Sequence, residues 1–182
     1  MPNVKFWKGL IEAKRRNVVV SAVDRFGTPE IELKAEALPA VVEYLRKAPE
    51  ASLDMLVDLV SVDYSLYPDW EGPRFGLIYH LKSLALGHRV TLKALLPDGD
   101  GRPVIGTLTA LYRNADWLER EAWDQMGILF TGHPNLKRLL NHWEFTGHPL
   151  RKDYPIQKRQ VLTTTDPMLD QIEARLKERG WS

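Results

Sequence analysis

Three carboxylates and three histidines are the residues whose types and spacing could do chemistry in this chain. Glu119, Glu121 and Asp124 fall within one short stretch, the density at which paired acids serve as general acid and base or hold a metal. Residues two apart on a helix do not face each other, and acids near a helix N-terminus are favoured by its dipole without any catalytic role. His133, His142 and His148, with Glu144 and Asp153 close by, are the metal candidates, because imidazole with carboxylate suits zinc or non-haem iron. Their spacing matches none of the compact helical metal motifs, and His133 and His148 each stand before a proline in a Gly-His-Pro tripeptide. A third constellation is basic. Lys137, Arg138, Arg151, Lys152, Lys158 and Arg159 face only Glu144 and Asp153 between Thr131 and Gln160, and Trp143, Phe145 and Tyr154 could stack on bases. The charge excess is modest and stops there, so these residues fit carboxylates or an interface rim on a protein partner better than nucleic acid.

Other chemistries lack their residues. There is no cysteine, which excludes disulfides, thiolate zinc sites and cysteine-ligated iron–sulfur clusters. The glycines between Asp98 and Arg102 have no strand-to-helix context and make no phosphate loop. No serine or threonine sits in a nucleophile elbow. The residues alone therefore leave three readings open: a docking protein, a free-standing metal-dependent enzyme using His133, His142 and His148, and a small nucleic-acid-binding module.

The elements that must position these residues follow from periodicity. A helix after Asn114 has Leu111, Ala115, Leu118, Ala122 and Met126 as its stripe. Asp116 can cap it with Glu119 as the capping-box partner. Arg120 can ladder with Asp116 and Asp124, and Gly127 can supply the left-handed stop. Pro134, Pro149 and Pro155 then keep His133, His148 and Tyr154 out of helical geometry. An extended arm results, bearing Leu136, Leu139, Leu140, Trp143, Phe145 and Leu150, and it is expected to be mobile until it docks.

Upstream, Lys5–Lys14 reads as a helix burying Trp7, Leu10 and Ile11. Asn17–Asp24 and Pro29–Lys34 read as a hairpin, and Leu38–Lys47 as a helix with proline in its first turn. Met55–Asp63 reads as a strand with Met55, Val57 and Leu59 on one side, before an aromatic loop from Tyr64 to Trp70. Arg74–Ser83 and His88–Leu96 alternate as a second hairpin around Leu84–Gly87. Pro97–Pro103 is a turn cluster, Thr107–Arg113 a short helix, Thr163–Thr165 a linker and Asp166–Arg179 a last helix. The order predicts a two-layer α+β domain with a mixed or mostly antiparallel sheet over residues 1–130, an extended docking arm over 131–160 and a helical tail over 161–182. The length of 182 residues and a hydrophobic content of 44% allow a substantial core. A net charge of +1 gives the whole chain no need of a polyanion, and neither a membrane span nor a signal peptide is legible.

The chain also resembles a known family. Glu119-Arg120-Glu121, Asp124, Gly127-Ile128, Gly132-His133-Pro134 and Leu136-Lys137-Arg138-Leu139-Leu140 resemble the signature of the thirty-kilodalton subunit family of NADH:quinone oxidoreductase, respiratory complex I. So does Gly147-His148-Pro149-Leu150-Arg151-Lys152-Asp153-Tyr154-Pro155, and upstream Asp58–Tyr64 with Tyr67-Pro68. The chain departs from the family at Gln125-Met126 and Asn141–Thr146, so bacterial complex I, its ferredoxin-fed relative and the related membrane-bound hydrogenases all stay open. The resemblance implies a structural protein without its own cofactor. The NADH, FMN, iron–sulfur clusters and quinone would belong to the assembly. It implies docking, through these signature residues, on the hydrogenase-large-subunit-like partner and its neighbours in the peripheral arm. It also implies a peripheral place on the cytoplasmic side of the inner (plasma) membrane.

Overall fold

Alternation of inward and outward side chains builds the central sheet. In chain order the computed structural model, which describes residues 2–96, 102–158, 160 and 167–180, runs α1 (Val4–Lys14), β1 (Val19–Arg25), β2 (Thr28–Lys34), a 3-10 turn (Ala35–Ala37), α2 (Leu38–Lys47), β3 (Met55–Asp63), β4 (Phe75–Lys82), β5 (Arg89–Leu96), β6 (Val104–Gly106), α3 (Ala115–Met126), β7 (Leu129–Thr131) and α4 (Pro167–Glu178). The five-stranded sheet has the order β1-β2-β5-β4-β3. Within it β2 and β5 run parallel, Ile31 opposite Leu92, and the other pairs are antiparallel. The fold is therefore α+β with a mixed sheet, as the element order predicts.

Phe75, Leu77, Tyr79 and Leu81 of β4 lie beside Val90, Leu92, Ala94 and Leu96 of β5 on one face, all buried. Trp7 and Ile11 of α1, which packs on β1 and β2, and Leu38, Val41, Val42 and Leu45 of α2 are buried in the same core. Each large aliphatic side chain buried in this way stabilises the fold by about 1.5–3 kcal/mol. The β1–β2 hairpin closes through Phe26 and Gly27, both at positive φ (52° and 78°), the pair of left-handed residues that matches strand twist in a two-residue turn. On the other sheet face the aromatic loop folds back. Tyr64 and Trp70 stack at 4.4 Å, with Lys93 Nζ 5.5 Å from each ring.

Four sequence expectations change. In β3 a bulge between Leu56 and Asp58 shifts the alternation, so Leu56 and Leu59 face the core while Met55 and Val57 are exposed. Residues 107–113 form turns, not a helix. Strands β6 and β7, unforeseen, pair in parallel with Ile105 opposite Phe130. The connector is held instead by the Leu108 N–H on Glu119 and the Tyr112 hydroxyl on the Leu53 carbonyl. The N-cap of α3 is Asn114, without a side-chain cap; its amide instead reaches the Leu56 carbonyl at 2.7 Å, closing the edge of β3. The capping box is also absent, because Glu119 turns inward. Gly127 does end α3 in the left-handed region, at φ 76°. Arg159, the Thr163–Thr165 linker and Pro97–Gly101 of the turn cluster lie outside the described residues.

Candidate functional site

The arm sits on α3, and Asp124 is where it is held. Its side chain has no solvent exposure and accepts five hydrogen bonds. The N–H groups of Leu139, Leu140 and Asn141 donate to Oδ2 at 3.1, 2.9 and 2.9 Å. Arg138 Nη1 and Asn141 Nδ2 donate to Oδ1 at 2.6 and 3.1 Å. Burial pushes this carboxyl up, but the Asn141 N–H, the Arg138 guanidinium and the remaining donors outweigh it and hold the pKa at about 2. Arg138 also donates to the Gly147 carbonyl at 3.0 Å and lies 5.5 Å from the Trp123 and Phe145 rings. One guanidinium thus ties helix, early arm and late arm together.

Arg120 is nearly buried, yet it completes no ladder with Asp116 or Asp124. It donates to the backbone carbonyls of Lys137 and Arg138 at 3.1 and 3.0 Å. The expected ladder fails because Asp124 turns to the arm and Asp116 turns to His133, whose Nε2 lies 3.2 Å from Asp116 Oδ1 and 3.3 Å from its backbone oxygen. His133 Nδ1 accepts the Asn135 N–H at 3.0 Å, so Nε2 carries the proton.

The second Gly-His-Pro meets the end of the same helix. His148 Nδ1 lies 3.1 Å from the Asp124 carbonyl, and burial, the largest influence on it, pushes this imidazole's pKa down. The Leu150 N–H donates to the Gln125 carbonyl at 3.1 Å, and Arg151 Nε to that of Met126 at 2.7 Å. These orphan carbonyls at the helix C-terminus are thus satisfied by the arm. Gly127 lies beneath: a Cβ there would fall on Arg151 and His148. Gly147, at φ 100°, leaves room for the Tyr154 ring, which stacks on Phe145 at 6.0 Å.

A third anchor returns to the sheet. Arg74 Nε and Nη2 grip Asp63 at 3.1 and 2.8 Å, and Nη1 and Nη2 reach Asp153 at 3.0 and 2.8 Å. The Lys152 N–H also donates to Asp63 at 2.9 Å. Burial opposes ionisation of Asp63, but Arg74 and the Lys152 and Ser65 N–H groups hold its carboxyl well below the usual range. Sequence reasoning missed Arg74 and Asn141. Asp63 was legible only within the resemblance, with nothing to pair it with an arm 89 residues away.

From Gly132 to Gln160 the described chain forms no helix or strand, as the prolines require. It bonds to α3 at points from His133 to Arg151 and to β3 at Lys152. The three arm histidines do not converge. His142 Nδ1 accepts the Glu144 N–H at 3.3 Å, while His133 and His148 serve opposite ends of α3. Among the described residues no three His, Cys, Asp or Glu side chains are grouped to hold a metal. Glu121, Lys137 and Lys152 are exposed, as are Gly132 and Pro134. The arm keeps four large apolar side chains outward: Leu140, Trp143, Leu150 and Ile156, 64%, 69%, 56% and 100% exposed.

A family model described as respiratory-chain NADH dehydrogenase, 30 kDa subunit, matches residues 31–160, a span holding every anchor above. The chain belongs to that family. An NADH-quinone oxidoreductase subunit from Acidithiobacillus ferrooxidans is 44% identical over 132 residues, 71% of this chain and 64% of the relative. Its counterpart from Burkholderia cenocepacia is 39% identical over 151 residues, 82% of this chain and 75% of the relative. The chain thus spans a little under two thirds of the first relative's length. Among solved structures, a trypsin-resistant fragment (1–134) of Nqo5 superposes with a TM-score of 0.59 at 31% identity, covering 72% of this chain and 99% of the fragment. A chain of an archaeal membrane-bound sulfane sulfur reductase, at 22% identity and a TM-score of 0.63, covers 95% of this chain and 91% of its own and shares the fold.

Proposed function

We propose that this chain is a structural and assembly component of the quinone-reducing module of an NADH:quinone oxidoreductase, contributing no cofactor or catalytic group of its own. In this reading the NADH, FMN, iron–sulfur clusters and quinone are held by other subunits. The arm docks on the hydrogenase-large-subunit-like partner, and through it the chain lies peripherally on the cytoplasmic side of the inner membrane. The observation that carries the reading is the outward presentation of Leu140, Trp143 and Leu150. Three large apolar side chains stand outward on a segment whose backbone is already bonded to Asp124 and Gln125. Aromatic and aliphatic anchors of this kind, ringed by basic residues such as Lys137 and Lys152, have the make-up of an interface core and its rim.

The test is the double variant Leu140→Ser, Trp143→Ser in the intact complex. The chain should fold with an unchanged melting temperature, no longer co-purify with the hydrogenase-like partner, and leave membranes deficient in NADH:quinone activity. Normal assembly and activity in that variant would overturn the docking surface.

A further inference from the structure

Among the described residues three acids are buried, and only two of them face an arginine: Asp63 meets Arg74 and Asp124 meets Arg138. Glu119, with no solvent exposure, has no cation within ion-pairing distance among the described residues. Its Oε1 accepts the Leu108 N–H at 2.7 Å and its Oε2 lies 2.5 Å from the Thr107 hydroxyl. The titratable and charged groups around it are Asp116 on the same helix and Tyr79 on β4, whose phenol Glu119 helps to push up. Arg120 is committed to arm carbonyls, and His133 to Asp116. A charge on Glu119 therefore meets an acid and a phenol and nothing positive.

The hydroxyl does not stand alone. Thr107 Oγ1 is 3.0 Å from Thr109 Oγ1 and accepts the Thr109 N–H at 3.1 Å, and Thr109 is half-exposed. A hydroxyl has one proton to donate and two lone pairs. With Glu119 ionised, Thr107 gives its proton to Oε2. With Glu119 protonated, the carboxyl donates to Thr107 and Thr107 turns its own proton to Thr109. The same heavy atoms serve both states, and only hydrogens reorient.

We propose that Glu119 is a buried proton-binding site that exchanges with solvent through the hydroxyls of Thr107 and Thr109. On release, the carboxyl proton passes to Thr107 as Thr107 passes its own to Thr109, and the Thr109 proton leaves to water, so one proton crosses and each hydroxyl is restored. Burial raises the carboxyl most, its two donors lower it, Asp116 raises it further, and the pKa stands at about 7.

The test is a titration of the full-length chain carrying 13C-labelled glutamate carboxyls. One resonance should titrate near neutral pH and vanish in Glu119→Gln. Thr109→Val removes the acceptor that the protonated state needs, so its midpoint should fall by about half a unit or more, the worth of one hydroxyl hydrogen bond. This variant, at a half-exposed position, also identifies the resonance should Glu119→Gln not fold. If every glutamate titrates in its ordinary range, the site is overturned. An unmoved midpoint in Thr109→Val overturns the route.

Discussion

Arg138 Nη1 lies 2.6 Å from Asp124 Oδ1, and this pair joins the last turn of α3 to the arm at a carboxylate with no solvent exposure. Asp124 also collects three successive backbone N–H groups, a cradle suited to a carboxylate, which is acceptor-only, and not to an amide, which carries donors as well.

Asp124→Asn keeps the shape but puts a donor where an acceptor is needed. Breaking one side of a buried pair leaves the other charge uncompensated, at a cost of about 3–5 kcal/mol. Thermal denaturation should show that loss, and limited proteolysis should open the arm between Lys137 and Lys152. An unchanged melting temperature would contradict it.

The same carboxylate sets an acid limb. Its folded pKa of about 2 lies below its ordinary 3.8, so its stabilisation is fully present above about pH 4 and is lost as pH falls through about 2. The shift corresponds to about 2 kcal/mol. The gap in denaturant unfolding between wild type and Asp124→Asn should therefore narrow by about 2 kcal/mol as pH falls to about 2.

Glu119 acts with the opposite sign. Its pKa rises on folding from 4.5 to about 7, so its contribution is complete below about pH 4.5 and is lost as pH climbs through about 7. Relative to Glu119→Gln, the wild-type chain should lose about 3 kcal/mol across that window. A pH-independent difference would refute it.

Arg120→Ala should destabilise without touching any ion pair. It removes charged donors from the Lys137 and Arg138 carbonyls, each such bond being worth about 1.5–3 kcal/mol. We expect a loss of about 3 kcal/mol that is insensitive to salt. A marked salt dependence would point to a carboxylate partner instead.

Gly127→Ala tests the helix end. The residue sits at φ 76° and its Cβ would strike Arg151 and His148. Left-handed strain for a non-glycine residue costs about 1–3 kcal/mol, and here the arm must also shift. Protease sensitivity should rise after Arg151 even where the melting temperature falls only slightly, and an arm as resistant as wild type would speak against this packing.

Local pattern carried much of this protein in the sequence alone. The alternation of Phe75–Leu81 and Val90–Leu96 specified two strands and their buried face, since side chains on a strand point alternately to opposite sides. The stripe of Leu38, Val41, Val42 and Leu45 specified α2, Gly127 marked the end of α3, and the prolines excluded a helix from the arm, whose described residues run as turns. The combination of residue types from Glu119 to Pro155 disclosed the family. What remained hidden was partner choice. Whether Arg120 meets Asp116, Asp124 or two carbonyls depends on where the arm lies, and helical spacing describes only neighbours on the same helix. Asp63 and Lys152, or Gln125 and Leu150, meet only after the sheet and α3 have placed them. The β3 bulge and the β6–β7 pairing came from hydrogen bonds to strands distant in sequence, and the burial of Glu119 from the packing of a connector against α3. Propensity and periodicity act within a few residues. Burial, ion pairing and proton affinity are set by whichever side chains the finished fold brings within a few ångströms.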